Sequence, residues 1–178
     1  MKRRLMIPAS SFLDPLDWEL NSVPLSESRF KVVTKSLRRH SFGIRLRVDS
    51  QLLSPQTTYS CLLIYKLSDN YSSYEGPLVI GVNDGVKSHM FPLSICLSTH
   101  CHPPVIGVKD DQRSAGSLDI FKMKGHPKHR KDGWMQVKFS EVSIPTMNTY
   151  YIFSVEEKEF RNTSCFGIVI EGIEFRIV

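Results

Sequence analysis

The feature that most constrains the fold is the hydrophobic pattern, which consists of short apolar runs with almost no helical periodicity. Gly, Pro, Asn and Ser separate these runs, as turns separate strands. In one run Ile44, Leu46 and Val48 alternate with Arg45 and Arg47, a period of two that is typical of a strand with one face in water. The pattern therefore predicts a mostly β protein.

The centre of the predicted core is the segment from Thr58 to Leu67, which follows a turn signal at Leu53 to Gln56. This segment is apolar at odd and even positions alike, as expected of a strand that is covered on both faces. Similar short runs predict further strands at 78–82, 90–97, 135–139, 151–155 and 166–178. In the last run the apolar parity changes at Glu171–Gly172, which predicts a β-bulge there.

One segment, from Ser26 to Arg38, has helical spacing, with Phe30, Val33 and Leu37 at positions i, i+3 and i+7. We therefore expect an all-β fold, a jelly-roll-like two-sheet β-sandwich with at most one short helix. Residues 1–22 are interpreted as the N-terminal segment of the same domain, and residues 23–178 as the sandwich itself. Residues 98–131 are rich in Pro, Gly, Lys and His and are predicted to form a long, mobile, basic loop.

Length and charge narrow the classes of function. A chain of 178 residues fits one domain with its own core, and it contains no apolar run long enough to span a membrane. The net charge of +5 comes partly from groups at 2–4, 38–40 and 122–131. We interpret these groups as solvated surface, with nuclear import or weak polyanion binding as alternatives. Nucleic acid is therefore not the expected partner.

The sequence lacks the motifs of the common enzyme classes. It has no nucleophile elbow, no phosphate-binding glycine loop and no His-Glu-x-x-His pair, so no catalytic residue is assigned. Six Cys and His side chains come closest to a metal site, but their spacing matches no known zinc motif: Cys96, His100, Cys101, His102, His126 and His129. We expect neither a metal nor another cofactor, and thiols rather than disulfides.

The most promising binding residue is Trp18, which lies between Asp17 and Glu19. A flat indole covers the apolar C–H face of a pyranose, while neighbouring carboxylates accept hydrogen bonds from its hydroxyl groups. The alternative is that Trp18 pins the N-terminal segment onto the sandwich. The second tryptophan, Trp134, opens a patterned strand and is predicted to lie in the core.

Five segments, in order along the chain, resemble the plant phloem protein 2 lectin domain, the tobacco-agglutinin-like family. They are Val23–Phe30, Leu53–Tyr59, Ile64–Leu67, Arg130–Met135 and Gly167–Arg176. The resemblance implies a jelly-roll sandwich, no catalytic activity, a cytoplasmic or nuclear location and binding of N-acetylglucosamine oligomers or N-glycan cores. It also implies a stand-alone domain or a fragment of a longer protein fused to an F-box or a kinase-like domain. A homodimer is a further alternative.

One departure from the family pattern concerns the ligand. Sugar-binding members carry two tryptophan positions in a longer N-terminal stretch, and here only Trp18 matches the second of them. The resemblance thus assigns sugar binding to Trp18, with Asp17 and Glu19 beside it. A second hypothesis is a protein-interaction domain that kept the scaffold and lost the sugar.

Overall fold

The computed structural model describes residues 4–13, 18–36, 43–67, 78–82, 91–95, 123–144, 150–157 and 168–178. Twelve strands form within these ranges, and short 3-10 turns at Ala9–Ser11 and Ser50–Leu52 accompany them. The strands are β1 Leu5–Pro8, β2 Trp18–Ser22, β3 Val32–Ser36, β4 Gly43–Asp49, β5 Thr57–Lys66, β6 Leu78–Val82, β7 Phe91–Ile95, β8 Met123–Gly125, β9 Lys128–His129, β10 Met135–Ile144, β11 Tyr150–Glu157 and β12 Val169–Ile177. The expected all-β class is confirmed.

The larger sheet has seven strands in the order β2-β3-β12-β5-β10-β9, and β1 pairs with β12 beside β3. Its central strand is β5, which pairs antiparallel with β10 on one side and β12 on the other. Burial on both faces explains why its sequence is apolar at both parities. The predicted central strand is thus confirmed.

The smaller sheet has five strands in the order β4-β11-β6-β7-β8. Its pairs are antiparallel except β7 with β8, which run parallel. In β4 the side chains of Leu46 and Val48 are buried and those of Arg45 and Arg47 are exposed, as the alternation predicted. The strand therefore turns its apolar face toward the larger sheet.

The two sheets enclose the main apolar cluster, which we call the inner core. It joins Leu46 and Val48 of β4 to alternate residues of β5, β10 and β12. Fully buried members include Tyr59, Tyr65 and Phe175. Because strand side chains alternate between faces, one parity of each central strand fills this core.

A β-bulge in β12 keeps both of its apolar sets in the inner core. The register against β5 shifts between Ile170 and Gly172, and Ile170 and Ile173 are both fully buried. At Gly172 the backbone of β1 comes so close that an added Cβ would lie 2.2 Å from the carbonyl oxygen of Ile7. The predicted bulge is confirmed, and only glycine fits there.

The opposite face of the larger sheet carries a second apolar cluster, the outer core. Its buried members are Val33, Leu62, Ile64 and Trp134. Trp134 is 3% exposed, which confirms its predicted core position. The 23–31 segment reaches this face, since the Trp134 Nε1–H donates to the Glu27 carbonyl oxygen at 2.7 Å.

The prediction of a helix from Ser26 to Arg38 is wrong for the residues that the structure describes. Residues 25–27 form a turn, the chain bends at 29–31, and Val32–Ser36 is strand β3 between β2 and β12. The β-branched residues Val32, Val33 and Thr34 favour the strand, and both neighbours supply hydrogen-bond partners.

The loop predicted at 98–131 contains two short strands, β8 and β9, at its C-terminal end. Residues 98–122 of that prediction lie outside the described ranges. Within the described residues, no helix has the length and apolar character that crossing a membrane requires.

Candidate functional site

Trp18 is the first residue of β2, at the end of the larger sheet, where it pairs with Ser36 of β3. Its side chain is 4% exposed and belongs to the inner core, together with Ala9 and Leu13 of the N-terminal segment. The ring thus holds β2 and the preceding segment on the sandwich. This position agrees with the alternative interpretation of Trp18 as a packing residue, because a stacking platform needs an exposed ring face.

Glu19 follows Trp18 in the same strand and is exposed. Consecutive strand residues point to opposite faces of a sheet. The inner-core position of Trp18 therefore turns Glu19 to the other face, and the two side chains do not line one surface. Asp17 lies outside the described residues, so the assignment of these three residues to a sugar site stays a prediction.

A charged cluster with two buried carboxylates lies on the outer face of the larger sheet. All its residues except Arg4 come from three of the five segments that resemble the lectin family. Its members are Arg4, Arg29, Arg130, Asp132, Glu171, Glu174 and Arg176.

The centre of this charged cluster is Glu174 in β12, whose side chain is 0% exposed. Its Oε1 accepts hydrogen bonds from Arg4 Nε at 2.7 Å and Arg176 Nε at 3.0 Å. Its Oε2 accepts from Arg130 Nη1 at 2.9 Å and Arg29 Nη1 at 3.4 Å. Four guanidinium groups thus satisfy one buried carboxylate, which ties β1, the 23–31 segment and the turn before β10 to the last strand.

The protonation of Glu174 follows from these contacts. Burial acts to raise the pKa of its carboxyl group, but hydrogen bonds from Arg176, Arg130 and Arg4 outweigh burial and lower the pKa to about 2. Glu174 is therefore a carboxylate at neutral pH. With its lone pairs occupied by arginines, it serves as a structural anchor.

Glu171, at the bulge of β12, is 1% exposed. Its Oε1 accepts hydrogen bonds from the Ser28 hydroxyl at 2.9 Å and the Arg29 backbone N–H at 2.8 Å. Its Oε2 accepts no hydrogen bond from the part of the chain that the structure describes, and Arg29 Nε lies 3.7 Å from it. Glu171 thus holds Ser28 and Arg29, the part of the 23–31 segment that leads into β3, in place.

The turn between β9 and β10 presents Arg130 to Glu174. The turn is closed by a hydrogen bond that the Arg130 backbone N–H donates to Trp134 O at 2.8 Å, and Gly133 has a left-handed φ of 81°.

Two further polar contacts lie at this turn. Partial burial acts to raise the pKa of Asp132, but hydrogen bonds from Arg130 and the Trp134 backbone N–H outweigh it and lower the pKa. Lys66 Nζ lies 4.5 Å above the Trp134 ring.

The sequence reasoning missed the charged cluster. The available signal was a pair of acidic residues, Glu171 and Glu174, inside the apolar segment that was predicted as the closing strand. Charged residues in such a strand are buried only when they are paired. The ion pairs of the charged cluster join the 23–31 segment, the turn before β10 and the last strand, so the cluster holds these parts of the fold together.

Two residues of the considered metal set, His126 and His129, are described, and both are exposed. The described residues contain no group of three or more Cys, His, Asp or Glu side chains placed to bind one metal ion. Cys96, His100, Cys101 and His102 lie outside the described residues. Cys61 is a free, buried thiol in the inner core.

The comparison with protein families matches residues 1–177 to phloem protein 2. Similar proteins from Arabidopsis thaliana are F-box protein SKIP3, F-box protein PP2-B10 and F-box protein At2g02240, at 28%, 28% and 30% identity. The matches cover 86%, 98% and 91% of this chain and 49%, 60% and 46% of those proteins. This chain therefore spans about half the length of these relatives. Because the family match extends over almost every residue, the chain belongs to the phloem protein 2 family.

Proposed function

We propose that this domain is a lectin-like carbohydrate-binding module without catalytic activity, whose ligands are N-acetylglucosamine oligomers or N-glycan cores on glycoproteins. The observation that carries the proposal is the family match over residues 1–177. The charged cluster agrees with this family membership, because three of the segments that resemble the family meet there. We also propose a cytoplasmic or nuclear location.

The position of β2 defines which residues of the predicted site are accessible to a sugar. Glu19 is exposed and presents a carboxylate that accepts hydrogen bonds from sugar hydroxyl groups. Trp18 is buried, so its contribution is to hold β2 in place rather than to offer a ring face. A shallow polar site of this kind binds with a dissociation constant of about 10 µM to 1 mM.

The test is calorimetric titration of the full chain with tri-N-acetylglucosamine. Glu19→Ala is expected to weaken binding at least about tenfold, which corresponds to the loss of a charge-assisted hydrogen bond. Glu27→Ala is the matched control, since Glu27 is an exposed carboxylate in the following turn. Absence of heat from a folded wild-type sample contradicts the proposal of sugar binding. Equal weakening by both variants contradicts the assignment of the site to Glu19.

The role of Trp18 needs a variant that preserves the core. Trp18→Ala would leave a large cavity and cost about 3–5 kcal/mol of stability, so a loss of binding would not identify a contact. Trp18→Phe keeps most of the packing, and Trp134→Phe changes the other buried indole on the opposite face. Retained binding in Trp18→Phe supports a packing role, whereas loss in this variant alone supports a direct contact.

The second candidate function is a protein-interaction domain that has lost the sugar. The burial of both tryptophans, at 4% and 3% exposure, favours it, and no aromatic side chain is among the exposed large hydrophobic residues in the described ranges. The similar proteins named F-box proteins also favour protein partners, and we propose that this domain acts beside an F-box in such an assembly.

Salt dependence separates these candidates from binding to nucleic acid. Polyanion binding through basic groups falls steeply with salt concentration, while hydrogen bonds to a neutral sugar change little. The titration is therefore repeated at a low and a high salt concentration. If tri-N-acetylglucosamine gives no heat at either concentration, the second candidate predicts that the folded chain captures a protein partner. Deletion of residues 100–122 should then abolish that capture, and unchanged capture would count against a role of this segment.

A further inference from the structure

Two arginines lie opposite each other on the outer face of the larger sheet, where the start of β1 meets the end of β12. Leu5 pairs with Phe175 in the antiparallel register, so the next position along the two strands places Arg4 opposite Arg176. Both side chains reach water, at 57% and 39% exposure. Like charges directly opposite each other in a sheet are destabilising. This pair therefore needs negative charge beside it.

Glu174 supplies only part of that negative charge. Arg4 Nε and Arg176 Nε both donate to the same oxygen, Glu174 Oε1, at 2.7 and 3.0 Å. The two arginines at the other oxygen, Oε2, also contact Asp132. Within the described residues, neither Arg4 nor Arg176 pairs with a second carboxylate. The Oε1 side of the charged cluster thus holds two positive charges around one shared oxygen.

Both guanidinium groups keep hydrogen-bond donors for a ligand. A guanidinium group carries five N–H donors. Arg4 donates to Glu174 through Nε and Nη2, and Arg176 donates through Nε to Glu174 and through Nη2 to Gln136 Oε1, at 3.1 Å. Each group therefore uses two of its donors on the described part of the chain. Because these contacts hold the guanidinium planes in place, an anion that meets the remaining donors immobilises little more of the side chains.

A hydroxyl group continues this row of polar side chains. Ser60 of β5 is opposite Arg176 in the register, and it has the parity of Ile64, which lies in the outer core on the same face. The next strand, β10, places Glu141 opposite Ser60, but that carboxylate is paired with Lys138 and lies two strands away from Arg176. The row thus offers donors from β5, β12 and the residue before β1.

We propose that Arg4, Arg176 and Ser60 form a binding site for the phosphate group of a phosphate monoester. Near neutral pH such a group carries close to two negative charges and three acceptor oxygens. These match two adjacent cations with unused donors and a neighbouring hydroxyl group. The site is open to water, so the dissociation constant is about 1 mM. The proposal goes beyond sugar binding and does not depend on it.

Calorimetric titration of the full chain tests the proposal at low salt and about pH 7.5, where phosphate monoesters are dianions. Inorganic phosphate, O-phosphoserine and N-acetylglucosamine 6-phosphate should each bind with a dissociation constant of about 1 mM. A monoester that binds at least about tenfold tighter than inorganic phosphate identifies the kind of molecule that carries the group.

A diester serves as the comparison for these phosphate probes. Dimethyl phosphate has one negative charge, like each phosphate of a nucleic-acid backbone, and should bind at least about tenfold weaker than O-phosphoserine. A folded wild-type chain that binds neither monoester, or that binds the diester equally well, overturns the proposal.

Variants test which residues form the site. Arg4→Gln should weaken the binding of O-phosphoserine at least about tenfold, and Ser60→Ala should weaken it about threefold. Arg45→Gln is the matched control, because it removes the same charge from an exposed arginine in β4 of the other sheet. Binding to this control should stay within about twofold of the wild type. Equal effects of Arg4→Gln and Arg45→Gln overturn the assigned site.

NMR spectroscopy of the wild type locates the site without a substitution in the charged cluster. During a titration with O-phosphoserine, the backbone amide signals of Arg4, Ser60 and Arg176 should shift along one common saturation curve. Those of the exposed Arg45 and Lys131 should stay in place. Shifts of similar size at all five residues would indicate general attraction to basic groups and would overturn the proposal.

Discussion

Arg130 Nη1 donates a 2.9 Å hydrogen bond to Oε2 of Glu174, and through it the turn before β10 is fastened to the last strand. The Arg130 side chain is 14% exposed and that of Glu174 is 0% exposed, so this contact is the most protected of the four arginine contacts to Glu174. Arg130 also contacts Asp132 through Nε at 3.1 Å. One guanidinium thus joins two carboxylates, a geometry that requires its several N–H donors.

The substitution Arg130→Lys should therefore destabilise the domain. Lysine keeps the charge but loses the planar set of donors, so we expect a loss of about 1–3 kcal/mol in the free energy of unfolding, measured by urea titration. Lys131→Arg is the control, because the neighbouring Lys131 is exposed and should change stability by less than about 0.5 kcal/mol. Equal effects of the two variants would contradict the role of Arg130 in fastening the turn.

The lowered pKa of Glu174 predicts loss of stability in acid. The ordinary pKa of 4.5 falls to about 2 in the folded protein, so the unfolded chain binds more protons between these values. The stabilisation is complete above about pH 5.5 and is lost as the pH falls from 4.5 toward 2. We expect a loss of about 1–3 kcal/mol, with allowance for solvent screening of the exposed arginines, in urea titrations over this range.

Glu174→Gln provides the comparison for the acid prediction. This variant should be less stable than the wild type at pH 7, since four arginines lose their shared counter-charge, and its stability should fall less between pH 4.5 and 2. If the two proteins lose stability in parallel over that range, other carboxyl groups cause the acid dependence.

Gly172→Ala should be strongly destabilising. The added Cβ would lie 2.2 Å from the carbonyl oxygen of Ile7, and only movement of β1 relieves that contact. We expect a loss of about 2–4 kcal/mol in thermal or urea unfolding. Gly133→Ala has no atom within 4 Å of the new Cβ and only the cost of its φ of 81°, about 1 kcal/mol. A smaller effect at Gly172 than at Gly133 would contradict the close approach of β1.

The Cys61 thiol should be inert in the folded protein. Burial raises its pKa above the ordinary value, so the reactive thiolate is scarce at neutral pH, and the side chain is fully buried. In a variant with Cys96, Cys101 and Cys165 replaced by serine, labelling of the folded protein by a thiol reagent should be at least about 100-fold slower than labelling in guanidinium. Rapid labelling of the folded sample would mean that β5 opens readily.

Seven of the twelve strands in the described residues, β4–β7 and β10–β12, were predictable because the pattern that defines them is local. The alternation at Arg45–Val48 and the double-sided apolar run in β5 each indicate burial directly, and the parity change at Glu171–Gly172 indicates the bulge. The helix prediction at 26–38 failed because three residues at helical spacing contain no information about which strands lie beside the segment. The pairing of β3 with β2 and β12 decided that segment.

The candidate site was less predictable from the sequence. Trp18 and Glu19 are adjacent in the chain, yet β2 turns their side chains to opposite faces of the sheet. Conversely, Ser28 and Glu171 are 143 positions apart and hydrogen-bonded. Nearness in sequence is therefore a poor guide to which polar groups share a site in a β-sandwich.

The sequence by itself determined the all-β class, the central strand, the bulge and the family, because periodicity and short motifs are properties of neighbouring residues. Only the tertiary structure decided that Trp18 is buried and that four arginines surround Glu174, since both depend on which strands become neighbours. The pairing order of the larger sheet brings distant segments onto one face. In the low dielectric of the protein interior, a buried charge needs polar or charged partners, and the order of residues along the chain does not show which residues those are.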